Sequence, residues 1–309
     1  IIIGVFINSI FALEGMALQT EGEKKQFRGG KLVVHYLSDS KRNMIFNGHA
    51  CGPAFSKDGR RVSFLDVSKK KVMICNIDGS GLKEVGNSKG YGDLGVTYWL
   101  PDDYIYFNYH NNVIFRIKAT GGTAEEFFNA GNQIDQFGIS NDGKRIAWTQ
   151  GRGGYKVRIY DFETKKERTT DKNCQGTMSP DGKYFTRNLG NHKEFQIHKF
   201  EDMSVWKTLK VPGGSKHNLH RWSHYCQDYV VYTKEGRGGQ GVIHNIQTNQ
   251  TTHAGPGTIW DYYEGGGATT VSVSQSLNHS AQKQAAQRII IVPLIGTGLL
   301  NINRSKSWK

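Results

Sequence analysis

The chain is 309 residues long, 37% hydrophobic and 22% charged, with 38 glycines and 40 Lys+Arg against 27 Asp+Glu, a net charge of +13. That composition excludes a disordered or collagen-like chain and supplies core material for one large domain with many turns. The charge excess favours polyanionic partners, and four cysteines are too few for a dense disulfide scaffold.

The first run, IIIGVFINSIFAL, is uncharged over thirteen residues. It is short for a membrane span and the right length for the apolar centre of a secretory signal. Gly15-Met16-Ala17 puts small residues at the two positions a signal peptidase reads. Residues 1–17 are therefore expected to be a partial signal peptide, with the rest exported to a periplasm or the exterior and no stable membrane span.

Residues 31–46, KLVVHYLSDSKRNMIF, read as two outer strands around a Ser-Asp-Ser turn. A Ser-x-Asp-Gly tetrapeptide then recurs between short apolar runs: SKDG at 56–59, SNDG at 140–143 and SPDG at 179–182, with LPDD at 100–103 as a weaker copy and SHYCQD at 223–228 as a fifth. Asp bonds the backbone beside it and Gly accepts positive φ, so each copy closes a hairpin. The apolar runs RVSFL, RIAWT and YVVYT follow three of the copies. In the first unit KVMICN, DGSG and LKEV come next, and in the third YKVRIYD, ETKK and ERTT. Four strands per roughly 40–45 residues is the period of a β-propeller blade.

These repeats, "FSKDGRRVSF … KVMICNIDGSGLKEV" above all, resemble the WD-type blades of the TolB-like propeller family. The resemblance runs over about residues 31–263 and implies fold more than function, since such blades serve binding proteins, peptidase domains and polysaccharide lyases. TolB has an additional N-terminal α/β domain for which the sequence ahead of the first blade leaves no room, so no Tol-system role is carried over.

Five blades read directly, at about 49–86, 91–130, 132–170, 172–212 and 217–254. A sixth is expected to be split, with residues 31–46 as its outer half and TIWDYY at 258–263 as its inner strand. Joining them removes two unpaired edges and closes the ring. The expectation is thus an all-β, six-bladed, monomeric propeller over 23–263, with seven blades as the alternative. Residues 264–309, beginning GGGATTVSVSQ, read as a linker and tail.

Propeller chemistry sits around the channel mouth, where the loops leading into each inner strand and those between second and third strands emerge together. The latter carry Lys69-Lys70-Lys71, His110-Asn111-Asn112, GRGG at 151–154, Asn191-His192-Lys193 and GRGG at 236–239. Arg152 and Arg237, in Gly-rich backbone, suit a carboxylate or phosphate. Leading into the inner strands stand His49, Asp93, Asp135, His217, His220 and Asp261. The ligand-binding candidates are Arg152, Arg237, His110, His192, Asp93, Asp135, His220 and Asp261. Cys51, Cys75, Cys174 and Cys226 read as small residues filling tight inner positions. No CxxC pair, P-loop, HExxH or Gly-x-Ser-x-Gly elbow is present.

Two readings follow. The first is an exported binding module that takes an envelope protein or an anionic glycan, but no nucleic acid, on its basic face without a cofactor. The second is a lyase on uronic-acid saccharides, with His49, His192, His217 or His220 abstracting a proton beside a carboxylate that Arg or a divalent metal neutralises.

Overall fold

The computed structural model describes residues 30–35, 42–87, 95–108, 112–151, 155–235, 240–256, 258–259, 261–264 and 270–274. The expected signal segment and residues 276–309 lie outside them. Strands β1 (Gly30–His35), β2 (Arg42–Phe55), β3 (Arg61–Asp66), β4 (Lys71–Asn76) and β5 (Lys83–Asn87) open the fold. The second blade is β6 (Thr97–Trp99), β7 (Tyr104–Phe107), β8 (Val113–Lys118) and β9 (Glu125–Asn129). The third is β10 (Ile134–Ile139), β11 (Arg145–Gln150), β12 (Lys156–Asp161) and β13 (Lys166–Lys172). The fourth holds β14 (Tyr184–Asn188), β15 (Glu194–Lys199) and β16 (Val205–Lys210), its inner strand reduced to a bridge between Met178 and Phe185. The fifth is β17 (His217–Trp222), β18 (Tyr229–Lys234), β19 (Gln240–Asn245) and β20 (Thr251–Pro256), followed by β21 (Thr258–Ile259) and β22 (Thr270–Ser274).

Among the described residues the propeller has five blades, not six or seven. The strands assigned to a split sixth blade join the first blade instead, in one sheet of order β21-β22-β1-β2-β3-β4-β5. The reason lies in β2, which runs unbroken for 14 residues. Its Ala50 stands between Gly30 of β1 and Asp66 of β3, so one strand serves both the outer hairpin and the inner edge of the blade. With no turn inside 42–55, there is no break from which a separate blade can start. Residues 270–274, which read as linker, form β22 and pair along β1 from Lys31↔Ser274 to His35↔Thr270.

Middle strands of the blades are apolar on both faces because sheets stack against sheets: Val62, Phe64 and Leu65 in β3, Ile146, Ala147 and Trp148 in β11, and Val230, Val231 and Tyr232 in β18 are all buried. Outer strands such as β5 and β9 are mostly exposed. The tetrapeptide turns share one chemistry. In the first, Ser56 Oγ donates to Asp58 Oδ1 at 2.6 Å, Arg60 N–H donates to Asp58 Oδ1 and Arg61 N–H to Ser56 Oγ, with Gly59 at φ +66°. Ser140-Asp142-Arg145 and Ser179-Asp181-Tyr184 repeat it. In the LPDD copy Asp103 takes the left-handed position at φ +62°, and the Trp99 indole N–H donates to its carboxylate at 3.0 Å.

Residues 261–264 seal the ring between the fifth blade and the first. Asp261, 1% exposed, accepts N–H bonds from Phe55 at 3.0 Å, His224 at 3.1 Å and Tyr262 at 2.9 Å. Ser223 Oγ donates to the Tyr262 carbonyl and Tyr263 Oη to that of Lys57. Both blades are thereby held by one short segment.

Candidate functional site at the channel mouth

Antiparallel pairing within each blade puts the loops between second and third strands at the same end as the segments leading into inner strands. At that end the fourth and fifth blades meet in a chain of imidazoles. His217, on β17, donates from Nδ1 to the His192 carbonyl at 2.6 Å, and this fixes its tautomer. Its Nε2 must then accept, which it does from His220 Nδ1 at 3.3 Å. His220 Nε2 in turn accepts from Thr186 Oγ1 at 2.8 Å. Phe195 stacks on the His220 ring, with centroids 5.0 Å apart.

Burial penalises the imidazolium, and neighbouring histidines add to the penalty. His217 is lowered to about 4 and His220 well below the ordinary 6.5. Both are neutral at physiological pH with every ring nitrogen used inside the protein. His192, half-buried on the loop between β14 and β15 with φ +55°, is the member of the group at the surface. Its Nδ1 lies 3.3 Å from the His217 carbonyl and its Nε2 3.7 Å from the Cys174 sulfur.

Where the inner strands of the first, second and fifth blades converge lies Arg221, 1% exposed. Its guanidinium lies over the Tyr98 ring, 4.3 Å from the centroid. It donates to Thr97 O at 3.0 Å, Tyr98 Oη at 3.2 Å and Pro53 O at 3.4 Å, so the first, second and fifth blades meet on one side chain. His224 packs edge-on to Tyr98 and is lowered to about 3, by burial first and by the Arg221 charge second.

The structure thus brings His192, His217 and His220 together, with Asp135 near enough to act on the Cys174 thiol, and sets His49 and Asp261 elsewhere. Asp135 stands half-buried at the start of β10, its carboxyl raised by burial. Asp261 is in the ring closure, raised by burial despite the Arg221 charge and three N–H donors. His49 is exposed on β2, and its carbonyl accepts from Val67 N–H at 2.9 Å. Asp93, His110, Arg152 and Arg237 lie outside the described residues. Sequence reasoning passed over Arg221, whose alternation on β17 gave no sign of burial, and Asn188 and Cys174. Those two had a signal: Cys174 repeats the position of Cys51 relative to the turn serine, and Asn188 matches Asn108 and Thr149 near the ends of their second strands. None of the four cysteines is joined in a disulfide. Among the described residues no group of three or more His, Cys, Asp or Glu side chains is arranged to hold a metal ion. No helix among them is long and apolar enough to cross a membrane.

No protein-family model matches the chain, and no curated protein matches it in sequence. Solved structures do match in fold. A protein assigned as TolB from Agrobacterium tumefaciens superposes with a TM-score of 0.59 at 15% identity, over 74% of this chain and 90% of that one. TolB from Acinetobacter baumannii gives 0.59 at 15% identity, over 83% of this chain and 65% of its own. A chain of the nidogen/laminin complex gives 0.57 at 11% identity, over 80% and 100%. At these identities the likeness is one of fold.

Proposed function

We propose that this propeller is an exported or periplasmic binding module that engages an envelope protein or an anionic glycan through the face bearing the second-to-third-strand loops. One observation carries the reading. The histidines best placed for proton abstraction, His217 and His220, are neutral, buried and wholly committed to internal hydrogen bonds, while the same face presents exposed Lys69, Lys70, Lys156, Lys193 and Lys216. A rigid floor ringed by cations suits recognition of a carboxylate-rich surface. The fold likeness to TolB structures and to a chain of the nidogen/laminin complex supports the propeller architecture on which this reading rests.

The test is retention on an immobilised polyuronate and on envelope proteins at physiological ionic strength. Lys193→Glu with Lys216→Glu, and separately Arg152→Glu with Arg237→Glu, are expected to abolish retention while circular dichroism stays unchanged. Undiminished retention by both variants removes this face from the site. Release of unsaturated oligosaccharides from the polyuronate replaces the binding reading with the lyase.

A further inference from the structure

Cys174 differs from the other three cysteines. Cys51, Cys75 and Cys226 are buried at 0%, 1% and 7% exposure, whereas Cys174 is only partly covered at the channel mouth. The residue after it, Gln175, holds φ +64° and interrupts the inner strand of the fourth blade at that point. Strained backbone of this kind persists where surrounding structure imposes it. His192, the imidazole facing the thiol, holds φ +55°.

The imidazole is oriented as a base. Its Nδ1 faces the His217 carbonyl at 3.3 Å, an acceptor that requires a proton on Nδ1 and leaves the Nε2 lone pair toward Cys174 Sγ at 3.7 Å. Asn188, 0% exposed, lies against both groups, its amide nitrogen 3.3 Å from His192 Nδ1 and 3.8 Å from the sulfur. Its Oδ1 is buried with no hydrogen-bond partner. Turning the carboxamide end for end gives that oxygen the Nδ1 proton. Thiol, imidazole and carboxamide then stand in the order that an activated cysteine uses. Burial holds the resting thiol above its usual range, so it loses its proton during attack rather than before it.

We propose that Cys174, with His192 as its base, is a thiol–disulfide exchange site that accepts a small disulfide at the channel mouth. This is independent of the binding function above. As Cys174 Sγ bonds to one sulfur of the incoming disulfide, its proton passes to His192 Nε2 and the incoming S–S bond breaks. The second sulfur leaves with the electron pair as a thiolate and takes the proton back from His192. The products are Cys174 in a mixed disulfide and one free thiol, and the incoming disulfide is the only oxidant. His217, itself held by His220, anchors the His192 loop through the His192 carbonyl.

The experiment treats the native full chain with glutathione disulfide and follows mixed-disulfide formation by intact mass and peptide mapping. One adduct is expected, on Cys174, while Cys51, Cys75 and Cys226 stay unmodified. His192→Asn keeps a residue that tolerates the left-handed backbone and is expected to slow the reaction about tenfold or more. Its fold is checked by the unchanged silence of the three buried cysteines. Cys174→Ser abolishes the adduct. First modification at another cysteine, no adduct at all, or an unaltered rate in folded His192→Asn overturns the proposal.

Discussion

His217, His220 and His224 sit neutral in the fold, and that has a direct consequence in acid. Their folded pKa values are depressed from 6.5, to about 4 for His217 and about 3 for His224. As pH falls below 6.5 the unfolded chain takes up protons that the folded chain refuses. The stability is therefore complete above 6.5 and drains as pH falls toward the folded values, by about 1.4 kcal/mol per pH unit for each histidine. Asp261 and Asp135 run the other way, because carboxyls held above 3.8 are protonated first in the fold, and they offset part of that loss as pH falls toward 3.8. Urea midpoints are expected to fall steeply from about pH 6.5 to about pH 4.5, and less steeply in His217→Gln. A flat profile there shows these imidazoles to be charged in the fold. At this scale the sequence was partly legible. His217 and His220, singled out ahead of an inner strand, pointed to the right place, but a residue's type does not say whether it faces solvent. His217 and Arg221, which alternation puts on one face of β17, both proved buried for different reasons: one in a hydrogen-bond chain, the other where the inner strands of the first, second and fifth blades converge.

The hairpin turns were the most legible elements, because their chemistry is local and needs no partner from elsewhere in the chain. Ser56, Ser140 and Ser179 each tie a carboxylate and a backbone N–H within six residues. Ser→Ala at each is expected to cost about 1 kcal/mol; the cost at Ser56 should add to the others, whereas Ser140 and Ser179 stand in touching turns, where Asn141 N–H donates to the Pro180 carbonyl, and their costs are expected to be coupled. Equilibrium denaturation of the single and triple variants checks this, and a triple variant no weaker than one single would show the turns to be incidental. Strands at the ends of the propeller were less legible. The alternation of residues 31–35 announces a strand but not which sheet it joins, and β22 lies in a segment whose small polar residues resemble a linker. Pairing between distant strands is decided by register and by neighbouring edges, which composition does not record. The blade count failed for that reason.

At the scale of the molecule the ring depends on one carboxylate. Asp261→Ala leaves the N–H groups of Phe55, His224 and Tyr262 without their acceptor and removes the nearby negative charge from buried Arg221. The expected loss is about 3 to 5 kcal/mol with reduced cooperativity, whereas Asp261→Asn, which keeps one oxygen, costs less. Thermal unfolding checks both, and equal small losses would mean that closure rests elsewhere. The bond between Phe55 and Asp261 spans 206 residues of sequence. A chain made from its N-terminus therefore delivers most of the first blade early and its latch only after the fifth blade. During synthesis the inner edge of that blade stays open until the fifth blade has emerged, a contact order that makes assembly slow and leaves an unprotected strand edge. The nascent protein is accordingly most prone to stray pairing until residues 258–274 have emerged, and a holding chaperone would help most in that interval.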